Sequence, residues 1–179
     1  MRNIFQLITL AALAILSSCA GEIDSRINQN YYTKFSLHHE KGHYFTTNYN
    51  RGMLLPVNSE VVIEKVNKKV IGVEILSSGE RFTIINVPKH TDENIDQAFN
   101  KIFSKAPLNL SNFSALEKRN ITEGKVENGM RKEAVIAAIG YPPKIKTPTL
   151  ESNEWIYWTS RFDKISITFQ DGKVAGMKD

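Results

Sequence analysis

The chain has a single cysteine, Cys19, among its 179 residues. That rules out an internal disulfide framework and any centre built from several thiolates. Long apolar runs are missing too: the longest, Ile4 to Leu16, covers about 13 residues, against the roughly 20 that a spanning helix needs. Six prolines and ten glycines are too few for a collagen-like or low-complexity chain. No large charge of one sign builds up. The formal net charge is +4, or +3 once Arg2 is removed with the leader in which it lies, and the cations are dispersed. Nucleic-acid binding, which needs a clustered basic stripe, is not indicated. A hydrophobic fraction of 41% and a charged fraction of 23% exclude disorder and a polytopic membrane protein.

The N-terminus has one cation, a short apolar stretch and then small residues, which is the pattern of a secretory signal. Leu16-Ser17-Ser18-Cys19 resembles the bacterial lipobox, in which the cysteine thiol receives a diacylglycerol after cleavage. The resemblance implies a signal peptide over 1–18, a lipid on Cys19 and a polar tether over 19–30. Acyl chains would hold the protein on a membrane, each buried CH₂ contributing about 0.8 kcal/mol. In lipoproteins of bacteria with two membranes, a residue other than Asp after the cysteine favours the outer membrane, and Ala20 fits that rule. Attachment there, facing the periplasm, is the expectation.

Residues 31–90 read as a β-rich module. Tyr31 to Leu37, Tyr44 to Tyr49, Val61 to Val66, Val70 to Leu76 and Phe82 to Val87 are short β-branched and aromatic runs separated by turn signals. By spacing, Arg51 to Ser59 resembles the entry to an SH3-like barrel. Lys65, Lys68 and Lys69 read as a solvated strand edge. The period then changes, and residues 91–124 form a helical connector. Ile95, Phe99, Ile102 and Phe103 recur at helical spacing behind Thr91 as N-cap. A second helix is expected from Ser111 to about Arg119.

Residues 125–179 carry a helix and an antiparallel sheet. Val135, Ala138 and Ile139 share a helix face, Gly140 suits a left-handed C-terminal cap, and Pro142 and Pro143 forbid continuation. Trp155 to Thr159 and Ile165 to Phe169 alternate as strands, and Asp171-Gly172 is a two-residue hairpin turn. Alternation places Trp155 and Tyr157 on one face. A connection from Ser160 to Lys164 would set Tyr157 opposite Ile167 and Trp155 opposite Phe169.

The order Gly129-Met130, a short helix closing in Gly140-Tyr141-Pro142, Trp155-Ile156-Tyr157, and Phe169-Gln170-Asp171-Gly172-Lys173-Val174 resembles the BamE-like (SmpA/OmlA) lipoproteins of outer-membrane assembly. Arg131 stands where that family usually has a capping Ser or Thr, and the small assembly lipoproteins lack the β-rich module. The expected fold class is α+β: a small antiparallel β-rich, SH3-like N-terminal module followed by a BamE-like module. The resemblance implies a non-catalytic binding or scaffolding protein with an envelope protein partner, supporting outer-membrane assembly or integrity.

His39-Glu40-Lys41-Gly42-His43 spells H-E-x-x-H, which on a helix would put two imidazoles beside a general base and make a zinc hydrolase the first rival reading. Gly42 and the strand-like flanks favour a β-turn with solvated imidazoles instead. No metal, cofactor or catalytic residue is therefore expected. Glycine-rich phosphate loops and nucleophile elbows are absent from the sequence. An inhibitor or ligand-binding lipoprotein is the second rival. Tyr141 and Trp158 are the candidate partner-contact residues.

Overall fold

The computed structural model describes residues 24–179, so the signal peptide, Cys19 and Ala20 lie outside the described residues. The fold is mixed α+β. Asp24 to Gln29, read from the sequence as tether, are fixed in place. Arg26 pairs with Asp24 and Asp96 and lies over the Phe99 ring, and the Asn28 N–H donates to the Ile63 carbonyl at 2.7 Å.

Eight strands form the first half. They are β1 (Asn30–Thr33), β2 (Leu37–His39), β3 (His43–Phe45), β4 (Met53–Leu55), β5 (Glu60–Val66), β6 (Val70–Ile75), β7 (Arg81–Ile85) and β8 (Phe103–Ser104). Six of them make a sheet in the order β3-β7-β6-β5-β1-β8, antiparallel except for β3 against β7. The pair β2-β4 forms a separate ribbon. Alternation buries Val61, Ile63, Ile71, Val73, Phe82 and Ile84 on one face. The expected run Tyr31 to Leu37 breaks at Lys34, whose N–H turns to the Ile102 carbonyl. Lys65, Lys68 and Lys69 do not lie on an edge, because β5 and β6 are interior strands. The lysines sit at and beside the hairpin joining them.

That sheet face is covered by α2 (Ile95–Ile102), which follows the single turn α1 (Pro88–Thr91). The N-cap of α2 is Asn94, not Thr91. Asn94 and Gln97 form a capping box in which each side chain accepts from the other residue's backbone N–H, at 2.9 Å. Ile95, Phe99 and Ile102 point into the sheet, as their spacing requires. At Phe103 the backbone becomes extended and pairs with Thr33.

The second half holds α3 (Ala115–Glu123), α4 (Lys132–Ile139) and the sheet β11-β10-β9, built from β9 (Glu154–Trp158), β10 (Lys164–Gln170) and β11 (Lys173–Lys178). Among the described residues no helix is long and apolar enough to cross a membrane. Helix α3 begins at Ala115, four residues later than the expected start at Ser111, and runs past Arg119 to Glu123. The β9–β10 connection spans 159–163, closed by the Thr159 N–H donating to the Asp163 carbonyl at 3.0 Å. Tyr157 therefore faces Ile165, and Trp155 faces Ile167. This register is two residues from the expected one, and an even slip preserves the faces. Trp155 and Tyr157 are fully buried with Val135, Ile139, Ile167 and Phe169.

Arg131 stands at the N-cap of α4, and its side chain makes no cap bond. Glu117 of the neighbouring helix instead holds Arg131 itself. Its carboxylate accepts from the Arg131 N–H at 3.0 Å, from the Arg131 guanidinium at 2.8 and 2.9 Å, and from the Ser114 N–H at 2.9 Å. Hydrogen bonding to Arg131 is the main reason its pKa is held down to about 2, against 4.5 for a free glutamate. A depressed carboxyl contributes stability above its unfolded pKa, and that contribution disappears as pH falls through the folded value. Thermal unfolding should therefore show an acid-sensitive step between pH 4.5 and about 2. Asp24 titrates in the same range, so the comparison is between wild type and Glu117→Gln. The variant should be less stable at neutral pH and lose less on acidification. Equal acid sensitivity of the two proteins would count against this role.

Candidate functional site

The two halves meet along a seam that passes through α4. The Ser36 N–H donates to the Ala137 carbonyl at 3.0 Å, and the Ser36 hydroxyl donates to the Ile121 carbonyl at 3.1 Å. Asn48, in a left-handed backbone conformation, sends its Nδ2 to the carbonyls of Ile139 (2.7 Å) and Tyr141 (2.9 Å). A concavity opens on each side of this seam. Of the two residues selected from the sequence, Tyr141 lines one of them, and Trp158 lies behind the lining of the other.

Tyr141 borders a cleft of about 300 Å³ between the first sheet, α2 and the segment after α4. Its ring meets Phe35 edge-on at 5.7 Å, and the Lys101 ammonium lies 4.8 Å from its centroid. Lys101 is paired with Glu93. Burial, and then the Glu93 carboxylate, raises the pKa of both Tyr44 and Tyr141, which keeps the two phenols protonated.

Trp158 does not line the second concavity, a more open groove of about 410 Å³ whose lining includes His38, His43, Phe45, Tyr49, His90 and Arg161, but packs behind two of those residues. The Trp158 indole stacks on Tyr49 at 6.3 Å and takes the edge of His90 at 5.0 Å. Trp158 is therefore half-buried by the seam and is not a free-standing anchor. Burial, then the charge of Lys89, lowers the His90 pKa; burial, then His39, lowers that of His38. Both imidazoles are neutral at neutral pH. On the β9–β10 connection Phe162 is 89% exposed. The loop carrying it is pinned by Ser160, whose hydroxyl donates to Asp163 Oδ2 at 2.6 Å and accepts from the N–H groups of Phe162 and Asp163.

The H-E-x-x-H residues do not form a helical site. His39 ends β2, His43 begins β3, and Lys41-Gly42 makes the tight turn between them, both with positive φ. Only His43 is solvated. His39 is buried, stacked on Phe82 at 4.8 Å, because strand alternation turns it inward with Leu37. Glu40 is exposed and paired with Arg51. Among the described residues no group of three or more His, Cys, Asp or Glu side chains is placed to hold a metal ion.

No family model, curated protein or solved structure matches the chain. Sequence reasoning missed Asn48, Glu93 and Phe162. Asn48 lay within a run read as a strand, although Thr-Thr-Asn-Tyr-Asn is rich in turn formers.

Proposed function

We propose that this is a non-catalytic binding or scaffolding protein of the bacterial envelope, held at the outer membrane through lipid on Cys19 and facing the periplasm. In this reading the C-terminal module is BamE-like, the N-terminal module is SH3-like, and the protein supports envelope assembly or integrity by engaging another envelope protein. The supporting observation is the Phe162 loop. A large aromatic side chain is held out by a locally hydrogen-bonded turn, next to a groove edged by Arg161, Phe45 and Tyr49. Exposed aromatic and arginine side chains beside a concavity are what protein recognition uses as anchors. The burial of His39 against Phe82, away from the exposed Glu40 and His43, weighs against a hydrolase that uses all three.

The test is co-purification of the lipidated full chain with its partner from solubilised envelopes. Phe162→Ser should keep its thermal midpoint, since the ring is unburied, while capture falls about 30-fold, as for a hot-spot residue. Capture unchanged in that variant would remove Phe162 from the contact surface and, with it, the main support for this reading.

A further inference from the structure

Asp24 lies five positions after Cys19, and it already belongs to the fold. The Ile27 N–H closes a turn on the Asp24 carbonyl at 3.0 Å, and Arg26 ties that turn to α2 through Asp24 (2.6 Å), Asp96 (2.8 Å) and the Phe99 ring. Asn28 and Gln29 then join β5, with bonds of 2.7 and 3.2 Å to the backbone of Ile63. Five residues at full extension span at most about 18 Å. A unit the size of residues 24–179 has a radius of gyration of about 15 Å and is therefore about 40 Å across.

The short reach decides which side of the protein meets the bilayer. To turn Asp24 away from the membrane, the chain after a lipidated Cys19 would have to pass round the domain, and about 18 Å is too short for that. Around Asp24 lie β1, β8 and the outer face of α2. Lys105 Nζ donates to the Asn30 carbonyl at 3.1 Å, and Lys34 Nζ to that of Asn100 at 3.0 Å. In the first sheet β1 and β8 form one edge. The opposite edge is β3, whose His43 and Phe45 line the groove beside the Phe162 loop, and four strand spacings, about 19 Å along the sheet, separate it from β1. Among the described residues none of the exposed large apolar side chains lies on β1, α2 or β8. Charge there is matched, with Arg26, Lys34 and Lys105 set against Asp24, Glu60 and Asp96. Such a surface suits a layer of lipid headgroups, without insertion and without a need for anionic lipid.

We propose that this edge, β1 and β8 with the outer face of α2, is the membrane-facing surface of the protein and rests on the lipid headgroups. The groove beside Phe162 is thereby held on the side remote from the bilayer, and a partner reaches it from the aqueous side. The inference rests on the lipid-anchor reading. The competing arrangement, in which the exposed Phe162 ring enters the bilayer, needs the β3 edge downward and is one outcome of the test.

Cys19 is the only cysteine, and its thiol is acylated in this reading, so a cysteine introduced elsewhere takes a fluorophore uniquely. The lipidated full chain, its acyl groups checked by mass spectrometry, is added to phosphatidylcholine vesicles that carry a nitroxide quencher on the headgroup. Bimane at Asn100→Cys or Lys105→Cys, both exposed on the near edge, should lose most of its emission. Bimane at His43→Cys, exposed on the far edge, should keep most of its own. Inserting about 40 Gly/Ser residues between Gly21 and Glu22 lengthens the tether by an r.m.s. span of about 35 Å, and the three positions should then be quenched alike. Equal quenching in the chain of natural length, strongest quenching at His43, or a contrast that survives the insertion would each overturn the proposal. A purified chain without acyl groups would overturn the anchor reading and this inference together, whereas equal quenching of a lipidated chain overturns this inference alone.

Discussion

Replacing Trp155 with alanine is expected to remove about 3–5 kcal/mol of stability, the range for deleting a large, fully buried aromatic side chain. The indole has no exposed surface and packs on Phe169 with ring centroids 4.7 Å apart. Its Nε1 donates to the Leu150 carbonyl at 3.3 Å, which fixes the segment leading into β9. The truncation therefore opens a cavity and removes one of the two donors to that carbonyl, leaving Lys132 Nζ at 2.9 Å. Trp158→Ala is the natural comparison, because Trp158 lies on the opposite face of the same strand and loses two ring contacts at the seam, about 0.5–1.5 kcal/mol each. Denaturant unfolding of both variants checks the assignment. A larger loss for Trp158→Ala would mean that the faces of β9 are reversed.

Gly140→Ala should be about as damaging, at about 3–5 kcal/mol, through strain and overpacking together. Gly140 has φ +77° and ψ −168° at the C-terminus of α4. The positive φ agrees with the sequence expectation, but the ψ lies well away from the left-handed helical region and in one that only glycine occupies readily. Space is lacking as well. A Cβ there would come within 2.8 Å of the Phe35 ring and 2.9 Å of Asn48 Nδ2. The Gly140 carbonyl also accepts from the Tyr157 hydroxyl at 2.9 Å, so a shift of this residue reaches the second core directly. A lowered denaturation midpoint with an unchanged slope would support the prediction. Near wild-type stability would show that Phe35 can move aside at little cost.

Much of the architecture was legible wherever a local pattern decides the outcome. Runs of β-branched and aromatic residues between turn signals found β5, β6 and β7, and period-two alternation placed Trp155 and Tyr157 inward even though the register was wrong. The register depended on where the β9–β10 turn closes, and that is set by one backbone bond from Thr159 to Asp163. The N-cap of α2 was misplaced because Thr91 and Asn94 are both good caps. The reciprocal partner Gln97, three residues on, is what distinguishes Asn94. The parallel pairing of β3 with β7 and the pairing of β1 with β8 have no local signature, since each joins distant segments. The site was harder to read. Tyr141 and Trp158 were selected as aromatic residues, yet what ties the first half to the Tyr141 segment is the polar side chain of Asn48. Its importance comes from carbonyls more than 90 residues away.

Those same bonds set a timetable for folding. A chain made or exported N-terminus first presents Asn48 and Ser36 long before Ile121, Ala137, Ile139 and Tyr141 arrive to accept from them. The Asn48–Tyr141 separation is 93 residues, which at the usual pace of synthesis is a delay of about 5–20 s. The first sheet gains its last strand, β8, only at Ser104, and its closing partner follows later still. Phe35, which packs against Tyr141 in the finished fold, has no cover on that side. The nascent protein therefore spends seconds with the Phe35 side of its seam uncovered, until residue 141 has emerged.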